Sequence, residues 1–314
     1  MIVHFTKCSD TSTIASARIA KFLSRQFAMP LVDSCETLEM FLPDAKEVIF
    51  VNSPSAFCPF RDDMDRIIKG RHLVWVLNDY TIYPPTQLRD ALDMRKMDTW
   101  SILPVLPWAH RWTFRNLLVT EVINWNQLTF TPLERVEASE QGLVYWGACR
   151  QFREAMFDKW LNSDLYDVAI SSSAPGRSKF AEICPNASLY MPFTNVASQI
   201  RNWKATMYLE DPLERGNGCP ANRFYEALSA GIGMFFDEIS VPMFREHGIN
   251  IKPYVVHSQK ELAYAIQMGD KVGKEQQQTW NVHSSSLSSL AQTALARARS
   301  RWASEVSTSQ ESPS

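Results

Sequence analysis

Short apolar runs alternate with amphipathic stretches through the first half of the chain. The apolar runs predict buried strands, and the stretches with apolar residues every three or four positions predict helices. The predicted strands are Ile2–Thr6, Glu47–Asn52, His72–Asn78 and Trp100–Leu106, and the predicted helices are Ser12–Phe27, Asp62–Lys69 and Thr86–Arg95. Strands that alternate with helices indicate a parallel sheet with both faces covered.

The alternation restarts after a polar stretch, Thr129–Gln141, which we interpret as a linker. The later predicted strands are Gly142–Gly147, Tyr166–Ser171, Ser188–Met191, Ala205–Leu209 and Ile232–Asp237, with a helix over Gln151–Leu161 and largely helical sequence from about Lys274 to Ala303. This pattern predicts an α/β fold with two Rossmann-like, doubly wound domains, over residues 1–135 and 142–280. A closing helix over 281–303 and a Ser-rich, disordered tail over 304–314 complete the prediction. Periplasmic-type binding proteins and phosphorylases share such a pattern, so it predicts the fold class and not the function.

Composition narrows the class of protein. Hydrophobic residues make up 45% of the chain and charged residues 21%, as in ordinary folded proteins. No apolar run has the length of a membrane helix, and Met1–Thr6 is typical of a first strand and not of a signal sequence, so we expect a cytoplasmic protein with no membrane partner. The six cysteines include no Cys-x-x-Cys pair, which argues against a zinc site and a disulfide framework. Because the net charge is −2, any contact with a nucleic acid has to be made by a local basic patch.

Two aspartates are candidates for a general base. In open α/β sheets, ligands bind beyond the carboxyl ends of the strands, and Asp79 directly follows the predicted strand His72–Asn78. A carboxylate there can accept the proton of an attacking hydroxyl. Asp10, between the first predicted strand and the first predicted helix, is the second candidate. Capping of a turn or of a helix is the alternative role for each.

Basic residues follow several strands of the second predicted domain, where the pattern places them on successive loops at the carboxyl edge of the sheet. They are Arg150, Arg153, Lys179 and Arg223. A guanidinium can bind two phosphate oxygens at once, and cations beside a leaving nucleoside diphosphate lower the barrier to its departure. A solvated surface position is the alternative for any one of them.

Cations and aromatic rings cluster in the segment Pro107–Asn116. The candidates for contact with a nucleic acid are His110, Arg111, Trp112 and Arg115. Aromatic faces stack on bases and cations pair with phosphates, which is how a single-stranded or flipped nucleotide is held. Because Trp108, Trp112 and Arg115 also fall at helical spacing, the aromatic core face of a helix is the alternative.

The segment Gly216–Gly231 combines a glycine-bearing loop, a helix that begins near Pro220 and a glycine stop. Glu226 and Arg223 share one face of this predicted helix, which also carries Asn222. Free amides at the start of a helix suit a phosphate, and a nearby carboxylate can accept hydrogen bonds from a ribose diol. An ordinary strand–helix–strand crossover with a surface glutamate is the alternative.

The sequence Tyr225-Glu-Ala-Leu-Ser-Ala-Gly-Ile232 resembles the Glu-Ala-Leu-Ala-x-Gly segment of nucleotide-sugar glycosyltransferases with the GT-B fold. Four segments together look like phage-encoded members of that class: Asn78–Ile82, Asn124–Asn126, Tyr145–Gly147 and Asn222–Glu226. The resemblance implies two Rossmann-like domains that face each other across a cleft, and a C-terminal helix that crosses back to the first domain.

The resemblance also implies an enzyme that moves a sugar from a nucleotide-sugar, UDP-linked, to a hydroxyl acceptor. The implied acceptor is a 5-hydroxymethylpyrimidine base of phage DNA, 5-hydroxymethyluracil or 5-hydroxymethylcytosine, and the implied compartment is the host cytoplasm. Glu226 would hold the donor ribose. The other implied donor contacts are Arg150, Arg153, Lys179, Asn222 and Arg223. Beyond the nucleotide-sugar no cofactor is required, and a divalent metal is possible but not indicated, because arginines can neutralise the leaving group.

The chain departs from the family pattern in one place. Many retaining GT-B enzymes carry a second glutamate shortly before the ribose-binding one, whereas Gly218 and Cys219 occupy those positions here. The identity of the sugar and the stereochemistry therefore stay open. If the reaction inverts the anomeric centre, Asp79 is the base, and if it retains, a donor phosphate oxygen takes the proton. A small-molecule or cell-envelope glycan acceptor, and a non-catalytic nucleotide- or sugar-binding module, are the alternative functions.

Overall fold

The chain folds into two compact units. The computed structural model describes residues 2–4, 12–32, 38, 40–52, 71–77, 100–104, 118–119, 133–134, 138, 140–193, 196–210, 220–280 and 284–310. The first unit comprises Met1–Thr129 together with Ser284–Ser314, and the second comprises Phe130–His283. Each contains a parallel sheet, which confirms the predicted α/β class.

The first unit is built on a six-stranded parallel sheet with the order β2-β1-β3-β4-β5-β6. Its strands are β1 (Ile2–His4), β2 (Leu31–Val32), β3 (Glu47–Asn52), β4 (His72–Leu77), β5 (Trp100–Pro104) and β6 (Leu118–Val119), and helix α1 spans Ser12–Gln26. Val48, Ile49 and Val51 of β3 are fully buried, as are Val74 and Val76 of β4. Neighbouring residues on β3 are buried alike, so both faces of the sheet are covered, as parallel sheets require.

The second unit is built on a five-stranded parallel sheet with the order β11-β10-β7-β8-β9. Its strands are β7 (Glu140–Trp146), β8 (Val168–Ser171), β9 (Ser188–Tyr190), β10 (Trp203–Tyr208) and β11 (Gly233–Phe236). Its helices are α2 (Glu154–Leu161), α3 (Ala174–Ile183), α4 (Val196–Ile200), α5 (Asn222–Ala230), α6 (Val241–Glu246), α7 (Gln259–Gln267) and α8 (Gly269–Trp280). The chain adds strands first on one side of β7 and then on the other, so the order reverses between β7 and β10.

A long C-terminal helix, α9 (Ser284–Gln310), packs in the first unit on β4 and β5. Its buried residues recur at helical spacing: Ala291, Ala294, Leu295 and Ala298. This confirms the prediction of a C-terminal helix that returns to the first domain. The helix continues seven residues into the predicted tail, because its sequence contains neither glycine nor proline before residue 311.

Short elements account for the other differences from the sequence prediction. Strands β2 and β6 have two residues each, too few for a hydrophobic period to be recognised. Helix α3 carries Lys179, which the sequence pattern places on a loop; Pro175 stands in the first turn of this helix, where proline is favourable. The predicted helices Asp62–Lys69 and Thr86–Arg95 lie outside the described residues. Within the described part of the chain, no helix combines the length and apolar character needed to cross a bilayer.

Candidate functional site

The topology of the second unit marks one position at its sheet edge. Strands β7 and β10 are neighbours but are not consecutive in the chain, so the loops that follow them run to opposite sides and leave a crevice at their carboxyl ends. Helix α5 starts beyond β10 and ends at Gly231, whose left-handed backbone (φ 68°) provides the predicted glycine stop. The crevice is therefore bordered by the end of β7, the end of β10 and helix α5.

Glu226 lies in the second turn of α5 and is only 8% exposed. The indole Nε1 of Trp146, the last residue of β7, donates a hydrogen bond of 2.7 Å to Glu226 Oε2. A buried carboxylate needs such a donor, because burial without one carries a large desolvation cost. Glu226 is therefore not the surface glutamate of the alternative interpretation. Its carboxylate is anchored to the strand at the crevice.

Arg223 joins the ends of the two strands that border the crevice. Its Nη1 donates to the Tyr145 hydroxyl at 3.0 Å and to the Trp146 carbonyl at 3.5 Å, and its Nη2 donates to the Leu209 carbonyl at 3.1 Å. The guanidinium also lies over the Tyr145 ring, 5.1 Å from its centroid. The planar fork is thus fixed between β7 and β10, one helical turn before Glu226.

Gly147 provides the space that Arg223 occupies. The backbone of Gly147 has φ +132°, which side chains rarely adopt, and its N–H donates to the Ser171 carbonyl at 3.1 Å. A Cβ atom added at Gly147 would lie 2.8 Å from Nη1 of Arg223. Gly147 is thus required both for the turn and for the close approach of the Arg223 guanidinium.

The predicted cations do not all stand on loops, which corrects the expectation of successive basic loops. Arg153 lies in the 3₁₀ turn Gln151–Arg153 and is 2% exposed, with Nη1 donating to the Tyr145 hydroxyl at 3.3 Å. Lys179 is exposed and lies in the middle of α3. Arg150 is half-buried and immediately precedes the 3₁₀ turn, so it remains at the crevice edge. Contact of these residues with a donor stays a prediction.

Asn222 is the first residue of α5 and is half-buried. Its Oδ1 is buried and has no hydrogen-bond partner among the described residues. The preceding N–H, that of Ala221, donates to the Tyr208 hydroxyl at 2.8 Å, which fixes the start of the helix against β10. The amide of Asn222 therefore sits at the beginning of α5, where the sequence predicted it.

The other predicted site residues lie outside the described residues. They are the candidate bases Asp10 and Asp79 and the candidate nucleic-acid contacts His110, Arg111, Trp112 and Arg115. The glycine-bearing loop before Pro220 also lies outside. In the ranges that the structure does describe, no three histidine, cysteine, aspartate or glutamate side chains are grouped so as to hold a metal ion.

Sequence reasoning missed three residues of the crevice. The sequence pattern assigns no role to Tyr145 and Trp146. Aromatic residues with polar tips at the end of a buried strand nevertheless need hydrogen-bond partners. Glu210 follows β10 and is 1% exposed. Its signal was available, because a carboxylate directly follows the apolar run Ala205–Leu209. Burial raises the pKa of the Cys149 thiol, in the loop after β7, which disfavours the reactive thiolate.

The fold and the crevice together define the class of structure: two Rossmann-like units and a returning C-terminal helix, as in GT-B glycosyltransferases. No protein-family model matches the sequence, and no curated protein matches it. Among solved structures, the chain is similar to T4 phage β-glucosyltransferase, with a TM-score of 0.62 and 13% identity over 93% of this chain and 98% of that chain.

Two further structures of the same kind are similar to the chain to the same extent. A structure of the DNA modifying enzyme β-glucosyltransferase, in the presence and absence of uridine diphosphoglucose, has a TM-score of 0.62 and 12% identity, and covers 93% of this chain and 98% of that one. The T4 phage enzyme in complex with its UDP-glucose substrate has a TM-score of 0.62 and 13% identity at the same coverage. At such identities the similarity establishes the fold.

Proposed function

We propose that the chain is a glycosyltransferase that moves a sugar from a nucleotide-sugar, UDP-linked, to a hydroxyl acceptor. The observation that carries the proposal is the placement of Glu226 and Arg223, one helical turn apart, at the point where the strand order reverses. Ligands of open α/β sheets bind at such a point. The similarity of fold to enzymes that use UDP-glucose supports the choice of donor.

The donor is held by its ribose and its diphosphate. The Glu226 carboxylate accepts hydrogen bonds from the ribose diol, since an ionised carboxylate offers only acceptors and a diol offers two donors. Arg150 faces the diphosphate from the loop after β7 and Arg223 from the start of α5, and Lys179 and Arg153 add positive charge. Fixed cations stabilise the charge that builds up on the departing nucleoside diphosphate.

The transfer needs a proton acceptor on the acceptor side. The acceptor hydroxyl attacks the anomeric carbon, a new C–O bond forms, and the bond from that carbon to the phosphate oxygen breaks, so that UDP leaves with the electron pair. Asp79 takes the hydroxyl proton if the anomeric centre inverts, with Asp10 as the second candidate. If the centre is retained, a donor phosphate oxygen takes the proton and Asp79 orients the acceptor.

The acceptor in this proposal is a 5-hydroxymethylpyrimidine base of DNA. Its support is the similarity of fold to a DNA modifying enzyme and the cluster His110, Arg111, Trp112 and Arg115, whose types suit stacking on a base and pairing with phosphates. A small molecule or a glycan is the second candidate, because the net charge of −2 shows no general attraction to DNA.

An assay of acceptor-dependent UDP release tests the function. UDP-sugars are incubated with the protein and with duplex DNA that carries 5-hydroxymethylcytosine, 5-hydroxymethyluracil or the unmodified base, and the digested nucleosides are weighed by mass spectrometry. The proposal expects UDP release only with a hydroxymethylated base, together with a nucleoside heavier by one sugar. UDP release with a glycan or small-molecule acceptor alone would contradict the proposal that the acceptor is DNA. If a folded protein releases no UDP with any acceptor, the proposed transferase activity itself is contradicted.

A further inference from the structure

Strand β7 ends in two adjacent residues, Tyr145 and Trp146, that together hold both α5 residues of the crevice. Tyr145 is fully buried and Trp146 is 5% exposed. Successive side chains of a strand point to opposite faces of the sheet, so the two rings leave the strand in opposite directions. The polar tip of each ring contacts a different residue of the helix.

The Trp146 contact fixes the orientation of the Glu226 side chain. An indole Nε1–H can only donate, so the 2.7 Å hydrogen bond requires an oxygen of Glu226 that accepts. This hydrogen bond limits rotation of the carboxylate plane. A carboxylate held in this way presents acceptors to an incoming pair of hydroxyls.

The Tyr145 contact fixes the orientation of Arg223. The phenol oxygen accepts from Nη1 of Arg223 at 3.0 Å and from Nη1 of Arg153 at 3.3 Å, while the ring lies under the Arg223 guanidinium. The carbonyl of Leu209 holds Nη2 of Arg223. The guanidinium plane is therefore set by an aromatic face on one side and by the end of β10 on the other.

We propose that Trp146 and Tyr145 are positioning residues that divide the recognition of the donor between them. Trp146 sets Glu226 to select a ribose diol over a 2′-deoxyribose, and Tyr145 sets Arg223 to select a diphosphate over a monophosphate. The inference rests on the proposed function of the same site. It assigns the specificity for a ribonucleoside diphosphate to two adjacent strand residues that themselves touch no donor atom.

Selectivity for ribose is measured with UDP and 2′-deoxy-UDP by isothermal titration. The wild-type protein is expected to bind UDP about tenfold more tightly than 2′-deoxy-UDP, since one hydrogen bond to a charged group is lost. In Trp146→Phe the ratio falls towards one, whereas Trp146→Tyr, which keeps a donor on an aromatic ring, retains part of it. In Glu226→Ala the ratio is already near one, and adding Trp146→Phe changes it no further.

A second buried tryptophan of the same unit provides a matched control. Trp160 is fully buried, and its Nε1 donates to Asp237 Oδ2 at 3.1 Å, a bond of the same type at the edge strand β11. Trp160→Phe is expected to lower the melting temperature without changing the ratio of the two dissociation constants. A purely structural role of Trp146 would give the same result for Trp146→Phe.

Selectivity for the diphosphate is measured with UDP and UMP. Tyr145→Phe removes the phenol oxygen that accepts from Arg223, so UDP is expected to bind several-fold more weakly while UMP is little affected. Tyr254→Phe is the control, because the Tyr254 hydroxyl donates to Glu275 Oε1 at 2.9 Å in another part of the same unit. Its preference for UDP over UMP is expected to equal that of the wild type.

The two levels of the proposal fail in different ways. If the wild-type protein binds no nucleoside diphosphate, the proposed function and this inference fall together. If the wild type binds UDP and the Trp146→Phe and Trp146→Tyr variants keep its preference for ribose, this inference alone is overturned. The same holds if Tyr145→Phe weakens UDP and UMP equally.

Discussion

Arg299 forms a bidentate ion pair with Glu47, which lies 252 positions earlier in the chain. Nε and Nη2 of Arg299 donate to the two carboxylate oxygens of Glu47 at 2.9 Å each. Nδ1 of His72 lies 3.0 Å from Oε2 of the same carboxylate, and the ring of His72 stacks on Trp302 with centroids 5.1 Å apart. Helix α9 is thus bound, within the first unit, to the first residues of β3 and β4.

Replacement of Arg299 by Leu is expected to lower the free energy of unfolding by about 1–3 kcal/mol, between the values of exposed and buried pairs, because the Arg299 side chain is 39% exposed and Glu47 only 10%. Gln292→Leu, a polar-to-leucine change at an exposed position of the same helix, should cost less. Urea denaturation of the whole chain measures both. Equal midpoints for the two variants would contradict the anchoring role.

The ion pair between Glu47 and Arg299 also predicts that stability depends on pH. Burial alone would raise the pKa of Glu47, but the hydrogen bonds from His72 and Arg299 outweigh it and hold the pKa below its ordinary value of 4.5. The stabilisation is therefore fully present above about pH 4.5 and is lost as the pH falls through the lowered pKa. The difference in unfolding free energy between wild type and Glu47→Gln should shrink below that pH. A difference that stays constant as the pH is lowered, until the protein unfolds, would contradict the stabilising role of the ionised Glu47.

Replacement of Gly147 by Ala is expected to weaken nucleotide binding as well as stability. The new methyl group would meet Nη1 of Arg223 at 2.8 Å, and the φ of +132° would be strained. Gly248→Ala separates the two effects, because Gly248 has φ +70° and no atom within 4 Å of an added Cβ. That control should lose about 1 kcal/mol of stability and bind UDP normally. Normal binding in Gly147→Ala would argue that Arg223 has no part in the donor site.

Replacement of Gln276 by Leu is expected to destabilise the second unit by about 2–4 kcal/mol, the cost of leaving two buried backbone groups unpaired. The buried amide of Gln276 accepts from the Met234 N–H at 2.9 Å and donates to the Met234 carbonyl at 2.7 Å, on the outer side of the edge strand β11. Gln278→Leu, at an exposed position of the same helix, is the control. Thermal unfolding compares the two variants. Similar melting temperatures would show that the two hydrogen bonds between Gln276 and Met234 add no stability.

Replacement of Asp79 by Asn is expected to lower the rate of sugar transfer at least about a hundredfold, as removal of a general base does, while UDP binding is unchanged. Asp10→Asn is made in parallel, since the sequence offers both residues. The measurement is the initial rate of UDP release at saturating donor. If Asp10→Asn is inactive and Asp79→Asn is not, the base is Asp10, and if neither variant is impaired, the proton goes elsewhere.

The sequence predicted the architecture well, because the spacing of hydrophobic residues along the chain indicates directly which side chains are buried. Strand β3 has the predicted limits, and Gly231 ends α5 as its conformational freedom suggested. What the pattern could not provide were contacts between distant residues. The Trp146–Glu226 bond spans 80 positions, and nothing local in the chain marks it.

The same limit applies to the site. The sequence predicts Arg153 and Arg223 as donor contacts, but it does not indicate that both direct an Nη1 towards the Tyr145 hydroxyl. A guanidinium has five donors and can bind backbone, phenol and ligand groups, so residue type alone does not say which it binds. Lys179 lies in α3 and not on the expected loop, since the proline and glycine that precede it both fit the first turn of that helix.

Thermal unfolding with and without UDP, in the wild type and in Glu226→Ala, tests the donor site most directly. At about 100 times its dissociation constant, UDP should stabilise the wild type by roughly 2.7 kcal/mol. This gain should disappear in Glu226→Ala and persist in Glu275→Ala, whose carboxylate accepts from the Tyr254 hydroxyl away from the crevice. A wild-type protein that melts cooperatively and gains no stability from UDP or any other nucleoside diphosphate would contradict the account.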